Sequence, residues 1–151
     1  MKAFILTYAS ISESEEELLA KTDVFKIALN QHAEELKPDI RIITDYFLEN
    51  LYNRFSQKIV SLRDRLKYDS ERVEYPKIEF KGSTVVAALE YLILKGYNEI
   101  MIVGDNKVNS AAFRDMVNQD IRNLESKAKI YQYSNGNFNL PVLKISEFIF
   151  L

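Results

Sequence analysis

The chain has 151 residues, of which 47% are hydrophobic and 28% charged, with a formal net charge of -2 and no cysteine. That length favours a single domain, which buries enough surface to fold without a disulfide or a metal. The charge gives no electrostatic reason to expect binding to nucleic acid or to an anionic membrane. The lack of cysteine excludes disulfides, thiolate metal sites and a cysteine nucleophile, and it suits a cytoplasmic protein. No apolar run approaches the roughly 18 residues of a membrane helix.

The first part of the chain predicts three strands separated by short helical pieces. Ala3–Tyr8, Asp23–Leu29 and Ile40–Thr44 are apolar and rich in residues that favour strands. Between the first two, Ser14 stands three residues before Glu17, a spacing that fits a capping box at the start of a helix.

Polar residues follow these strands. Asn30 is a suitable N-cap for a short helix at Gln31–Leu36, and Asp45 ends the third strand. Tyr46–Phe55 has the apolar spacing of an amphipathic helix, and Lys58–Leu62 predicts a weaker strand.

The least regular segment is Arg63–Lys81, which is rich in charge and carries Tyr68 and Tyr75. It predicts one edge strand, at Lys77–Phe80. A loop of this length is more often functional or mobile than inert.

The stretch Lys81–Asn106 organises the rest of the chain. Gly82 and Ser83 form a turn before an apolar helix, and Gly96 ends that helix because a C-terminus favours a residue that tolerates positive φ. The run Ile100–Val103 lacks polar alternation, which predicts a strand with both faces buried in a parallel sheet. A Gly-Asp-Asn loop follows it.

The last part of the chain predicts a helix, a strand, a turn and an extended piece: Asn109–Lys127, Lys129–Tyr133, Ser134–Asn137 and Val142–Ile145. The inner stripe of the helix comprises Phe113, Met116, Val117, Ile121 and Leu124. Strands alternate with helices along the chain, so the fold class is α/β. We expect residues 1–151 to form a single three-layer Rossmann-like domain with a mostly parallel sheet.

Motifs that carry catalysis or phosphate binding are few. The chain has no P-loop, no Gly-x-Ser-x-Gly and no Gly-x-Gly-x-x-Gly motif, and no metal-ligating cluster is visible. The single histidine, His32, fits a structural helix residue better than a catalytic base. The first βα loop, Thr7–Ser12, offers hydroxyls such as that of Ser10 but no glycine, so it would bind an anion through its N–H groups and hydroxyls.

Four polar or small residues, Asn30, Asp45, Gly104 and Asn106, follow predicted strands. The carboxyl ends of parallel strands lie on one edge of a sheet, so these residues and the helix N-terminus at Ser83 would line one cleft. Helix capping explains Asn30, Asp45 and Ser83 equally well. The functional argument is therefore their convergence at one edge.

Two blocks of the chain share the order of their turns and strand ends with a known superfamily: Gly82-Ser83, Gly96 and Val103-Gly104 in one, and Asn30, Lys37-Pro38-Asp39 and Asp45 in the other. They resemble the Rossmann-like superfamily that includes the MptE-like 6-hydroxymethylpterin diphosphokinases. The same superfamily holds the motility accessory factors that glycosylate flagellin and, more distantly, the Campylobacter-type sialyltransferases. The resemblance extends over about two thirds of the chain.

The resemblance implies a nucleotide or nucleotide-sugar site, with a CMP-linked sugar as the donor. Its binding residues would be Ser10, Asn30, Gly82, Ser83, Gly104 and Asn106, and its catalytic carboxylates Asp45 and Asp105. The chain departs from the superfamily at two points. The Gly-x-Gly-Pro-Ser loop is replaced by Thr7–Ser12, and in the Gly-x-Asp motif Asn106 stands at the carboxylate position.

Three functions therefore stay open. The first is a glycosyltransferase-like protein that uses a nucleotide-activated sugar. The second is a non-catalytic Rossmann-like binding or assembly module that lost its glycine loop. The third is a diphosphokinase that acts with ATP and magnesium held by Asp45 and Asp105. The sequence leaves a monomer and a homo-oligomer equally open.

Overall fold

The computed structural model describes residues 1–7, 11–45, 55–62, 72–105 and 110–151. Within them, seven strands form one sheet in which every pairing is parallel. The strands are β1 Lys2–Leu6, β2 Phe25–Leu29, β3 Ile40–Ile43, β4 Lys58–Ser61, β5 Val73–Glu74, β6 Glu99–Val103 and β7 Lys129–Gln132. Their order across the sheet is β5-β4-β3-β2-β1-β6-β7. The predicted α/β class with a parallel sheet is confirmed.

Helices cover both faces of the sheet. They are α1 Glu13–Lys21, α2 Thr84–Leu94, α3 Ala111–Leu124 and α4 Ile145–Ile149, with a 3₁₀ turn at Glu34–Leu36. The core on one face holds α2 and α3, and the core on the other holds α1, α4 and the 3₁₀ turn. This is the predicted three-layer Rossmann-like arrangement. None of the described helices is both long and apolar enough to traverse a bilayer.

Strand β1, an inner strand of the sheet, shows why such sequences lack polar alternation. Along β1, Ala3 and Ile5 belong to the core under α2 and α3, while Phe4 and Leu6 belong to the core under α1 and α4. All four side chains are fully buried. Because both faces of the strand contact helices, no position favours a polar residue.

The strand order reverses beside β1. From β1 the chain passes outward through β2, β3, β4 and β5, and α2 then returns it to β6 on the other side of β1. The helices that follow β1 and β6, α1 and α3, lie on opposite faces. In open α/β sheets, ligands bind in the crevice at the carboxyl ends of the strands where the strand order reverses.

Buried Gln132, the last residue of β7, fixes the loop that follows this strand. Its Nε2 donates to the carbonyl oxygens of Phe138 and Leu140 at 2.6 and 2.8 Å, and its Oε1 accepts from the N–H of Phe138 at 3.1 Å. A Cβ at Gly136 would lie 2.3 Å from that Oε1, so a larger residue there would displace the Gln132 amide. The loop then reaches Val142, which pairs in parallel with Gln132 through a single bridge.

A second polar contact ties the β5 edge of the sheet to α2. The Glu74 carboxylate accepts from the Tyr91 hydroxyl at 3.1 Å and lies 3.0 Å from Lys95 Nζ and 3.6 Å from Lys58 Nζ. Burial alone would raise the pKa of Glu74, but the hydrogen bonds from Lys95 and Tyr91 and the charge of Lys58 outweigh it and lower this pKa.

The structure corrects two predicted ends. Helix α1 is capped by Ser12, whose hydroxyl accepts from the Glu15 N–H at 3.4 Å, rather than by Ser14. Ser12 and Glu15 have the same three-residue spacing as Ser14 and Glu17, so the pattern alone did not distinguish them. The predicted extended piece at Val142–Ile145 is limited to the bridge at Val142, and α4 begins at Ile145.

Two further predictions are revised, and a third falls almost wholly on residues that the structure does not describe. The edge strand is β5 at Val73–Glu74 rather than Lys77–Phe80, because the chain leaves the sheet at Pro76, which has no N–H for a ladder bond. On α3, Val117, Ile121 and Leu124 are buried as predicted, but the Met116 side chain is 39% exposed. Apart from buried Phe55, the predicted helix Tyr46–Phe55 lies outside the described residues.

We expect Gln132→Met to lower the free energy of unfolding by about 2–3 kcal/mol, because it leaves the Phe138 and Leu140 carbonyls and the Phe138 N–H without their partner. Urea denaturation checks this. Gln119→Met is the matched control, since the exposed Gln119 amide donates to the Asn123 side chain at the protein surface. An equal effect of the two substitutions would contradict the role given to Gln132.

We expect Glu74→Gln to reduce the loss in free energy of unfolding that occurs as the pH falls into the acid range. The folded state lowers the pKa of Glu74 below its ordinary value of 4.5. Its contribution to stability is therefore present above that pH and is lost as the pH falls through the folded pKa. Urea unfolding between about pH 7 and about pH 3 measures the difference. Exposed Glu125→Gln is the control and should leave the slope unchanged.

Candidate functional site

Thr7 joins the carboxyl ends of the neighbouring strands β1 and β6. Its N–H donates to the Val103 carbonyl at 2.9 Å, and its hydroxyl donates to the Asp105 carbonyl at 3.1 Å. The side chain is 5% exposed. These bonds fix the backbone on both sides of the crevice where the strand order reverses.

Gly104 and Asp105 form the β6 side of that crevice. Gly104 has φ of +116°, a left-handed conformation that glycine adopts without strain, and its N–H donates to Asn135 Oδ1 at 3.0 Å. Oδ1 of Asp105 is buried and accepts no hydrogen bond within the described part of the chain. A buried acceptor without a partner is costly and uncommon, which makes this oxygen a candidate ligand contact.

Asn30 connects three elements at the same edge of the sheet. Its Oδ1 accepts from the N–H groups of Thr44 and Asp45 at 3.0 and 3.2 Å, and its Nδ2 donates to the Thr84 hydroxyl at 3.5 Å. The hydroxyls of Thr44 and Thr84 lie 2.6 Å apart. The ends of β2 and β3 and the start of α2 are thus held together by side chains.

The N-terminus of α2 lies at this edge. Gly82 has φ of +95°, and the buried Ser83 accepts from the Val86 N–H at 3.3 Å as the N-cap of the helix. The N–H groups of Thr84 and Val85 have no acceptor within the helix, because the first turn of any helix lacks preceding carbonyls. Together with the helix dipole, such a terminus favours an anion.

The predicted site residues therefore fall into two groups along one edge. Asn30, Asp45, Gly82 and Ser83 surround the start of α2, and Gly104 and Asp105 flank Thr7 at the end of β6. Ser10 and Asn106 lie outside the described residues. The described members lie along one end of the sheet, while the shared cleft and their roles in binding or catalysis stay predictions.

The capping roles were only partly correct. Ser83 caps α2 as predicted, but Asn30 caps none of the described helices. The predicted helix Gln31–Leu36 is reduced to the turn Glu34–Leu36, which begins after Ala33, and Asn30 has φ of +51°. The left-handed backbone directs the chain away from a helix start. The Asn30 side chain therefore contacts residues of other elements instead of capping a helix of its own. The exposed Asp45 offers its N–H to Asn30.

Sequence reasoning missed Arg41, which is fully buried in β3. Its guanidinium donates to the carbonyl oxygens of Asn30 and His32, pairs with Glu34 and lies 4.1 Å from the ring centre of Phe55. Burial lowers the pKa of Arg41, and Glu34 opposes that shift. The sequence did contain a signal for this role. An arginine within the apolar run Ile-Arg-Ile-Ile indicates a buried charge, and a buried charge needs partners.

Arg41 sets the shape of the turn after β2, and it thereby holds Asn30 in position. The half-buried His32 contributes its carbonyl oxygen to this contact. Thr44 and Thr84 were also missed, since hydroxyl residues at strand and helix ends are common in sequences. Only the fold brings these two hydroxyls together.

Among the described residues, no group of three or more histidine, aspartate or glutamate side chains is arranged to hold a metal ion. Comparisons with protein-family models, curated proteins and solved structures gave no match to this chain. The superfamily resemblance thus stays a prediction that depends on the residues quoted for it.

We expect Asn30→Ala to lower the free energy of unfolding by about 2–3 kcal/mol, because two N–H groups lose their acceptor and alanine is strained at positive φ. Asn30→Gly should recover part of this loss, since glycine tolerates the conformation. Urea denaturation of both variants separates the two causes. Asn123→Ala on the exposed side of α3 is the control, and an Asn30→Ala effect no larger than that of the control would contradict the assignment.

Proposed function

We propose that this protein binds a nucleotide-activated sugar in the crevice between the loops that follow β1 and β6, and that it acts as a glycosyltransferase-like protein. The observation that carries the proposal is Asp105 Oδ1, a buried acceptor without a partner in the described chain, at the point where the strand order reverses. A sugar or ribose hydroxyl supplies the donor that this oxygen lacks.

The geometry of the edge supports the same class of ligand. An extended ligand that contacts Asp105 has the N-terminus of α2 available further along the edge, because β1 and β2 are neighbours in the sheet. The N–H groups at Thr84 and Val85 suit the phosphate of a nucleotide. The hydroxyl pair of Thr44 and Thr84 lies beside that helix start and gives the edge polar character.

The resemblance to the sialyltransferases narrows the ligand to a CMP-linked sugar. In such a transfer a carboxylate accepts the proton of the acceptor hydroxyl, the oxygen bonds to the anomeric carbon, and CMP leaves with the bonding electrons. Asp45 and Asp105 are the carboxylates that the resemblance assigns to this step. Asp45 is exposed, while Oδ1 of Asp105 is buried.

A non-catalytic binding module is the second candidate, and a specific observation favours it. The N–H groups of Thr44 and Asp45, which follow β3, and the Thr84 hydroxyl are already hydrogen-bonded to Asn30. The hydrogen-bonding groups at this part of the edge are therefore used within the protein. The first βα loop also lacks the glycines that allow close approach of a pyrophosphate.

We expect a panel of CMP, CDP, UDP, ATP and a CMP-linked nonulosonic acid to raise the melting temperature for at least the CMP compounds. A ligand at about 100 times its dissociation constant stabilises by about 2.7 kcal/mol. Asp105→Ala should weaken binding about tenfold, the loss expected for one hydrogen bond to a carboxylate. Asp115→Ala, an exposed carboxylate on α3, is the matched control.

The outcomes separate the candidates. No shift with any nucleotide at millimolar concentration counts against both ligand proposals. Binding that leads to CMP release from the sugar donor, and that is abolished by Asp45→Asn, indicates transfer. Binding of the sugar donor without CMP release, whichever acceptor is added, indicates the non-catalytic module.

A further inference from the structure

A cavity of about 390 Å³ opens at the amino ends of the strands, on the side of the sheet opposite to the carboxyl ends. Phe25, Ile40 and Lys58 are the first residues of β2, β3 and β4, and all three line it. Lys95 at the C-terminus of α2 closes one side. Cavities of this size hold small organic ligands in other proteins.

One part of the cavity wall is aromatic and apolar. The rings of Phe25 and Tyr97 stack at a centroid distance of 5.1 Å with 22° between their planes. Ile40 and the buried Tyr91 also contribute to the lining. Stacked and parallel rings with an aliphatic neighbour favour a flat apolar group.

The other part of the wall carries charge. Lys58 and Lys95 approach different oxygens of the Glu74 carboxylate, at 3.6 and 3.0 Å, and their side chains are 50% and 47% exposed. Each ammonium has three donors, and Lys95 uses one of them on Glu74. Among the residues that line the cavity, the two lysines and Glu74 leave one positive charge in excess.

We propose that this cavity binds a small planar anion, an aromatic ring that carries a carboxylate. The ring packs against Phe25, Ile40 and Tyr97, and the carboxylate accepts from the free donors of Lys58 and Lys95. The site is separate from the crevice beside Asp105, because the two lie at opposite ends of the strands.

The first arm of the test uses 2-naphthoate as the probe and compares it with 2-naphthylmethanol, which has the same rings without the charge. Titrations up to about 5 mM are followed through the isoleucine methyl signals in two-dimensional NMR. We expect 2-naphthoate to shift the Ile40 methyl signal and to leave that of Ile130, in β7, unchanged. The alcohol should bind about tenfold more weakly.

The second arm uses variants. Lys58→Met keeps the aliphatic stem and Glu74 keeps its contacts with Lys95 and Tyr91, so the fold should persist, which the Ile130 signal verifies. We expect about tenfold weaker naphthoate binding for Lys58→Met. No loss is expected for Lys127→Met, an exposed lysine outside this cavity, or for Asp105→Ala.

Three results would overturn the proposal. They are an Ile40 signal that does not move, equal affinity for the carboxylate and the alcohol, and a Lys58→Met affinity equal to that of the Lys127→Met control. Failure of the nucleotide panel leaves this test unaffected, because the probe and the readout report on the opposite edge of the sheet.

Discussion

The burial of β1 on all sides is the constraint on which the rest of this structure depends. The strand pairs in parallel with β2 on one side and with β6 on the other. Its side chains are packed under helices on both faces. Since a parallel neighbour requires a crossover, the chain must return through α2 to place β6 beside β1. The reversal of strand order beside β1 follows from that return.

Most of the polar side chains described at the carboxyl edge make hydrogen bonds to other groups of the protein. Thr7 joins β1 to the end of β6, and Asn30 joins β2 to β3 and α2. Arg41 in turn fixes the turn that carries Asn30. Such a network keeps the edge rigid, and a rigid edge is what a binding site needs in order to hold groups in a defined geometry. Among the described residues, two buried carboxylate oxygens, Asp105 Oδ1 and Glu15 Oε2, have no hydrogen-bond partner, and that of Asp105 lies directly after β6.

Helix α2 links the two proposed binding regions. Its N-terminus lies beside Asn30 at the carboxyl edge, and its C-terminus carries Lys95 at the cavity on the opposite edge. Eleven residues of helix span about 16 Å. Seven of these residues are buried, so the helix is held along its length by the core. The charge of Lys95, the C-cap residue, suits the negative end of the helix dipole.

The sequence by itself determined the class of fold and the ends of α2. Continuous apolar runs are typical of strands buried on both faces, and Ser83 and Gly96 mark helix ends by their own local chemistry. Those features depend on residues close together in the chain. Only the tertiary structure decided the roles of Asn30 and Arg41 and the strand order, because these depend on distant partners: Asn30 and Thr84 are 54 residues apart. Local spacing contains no information about which distant donor or acceptor a polar side chain will contact.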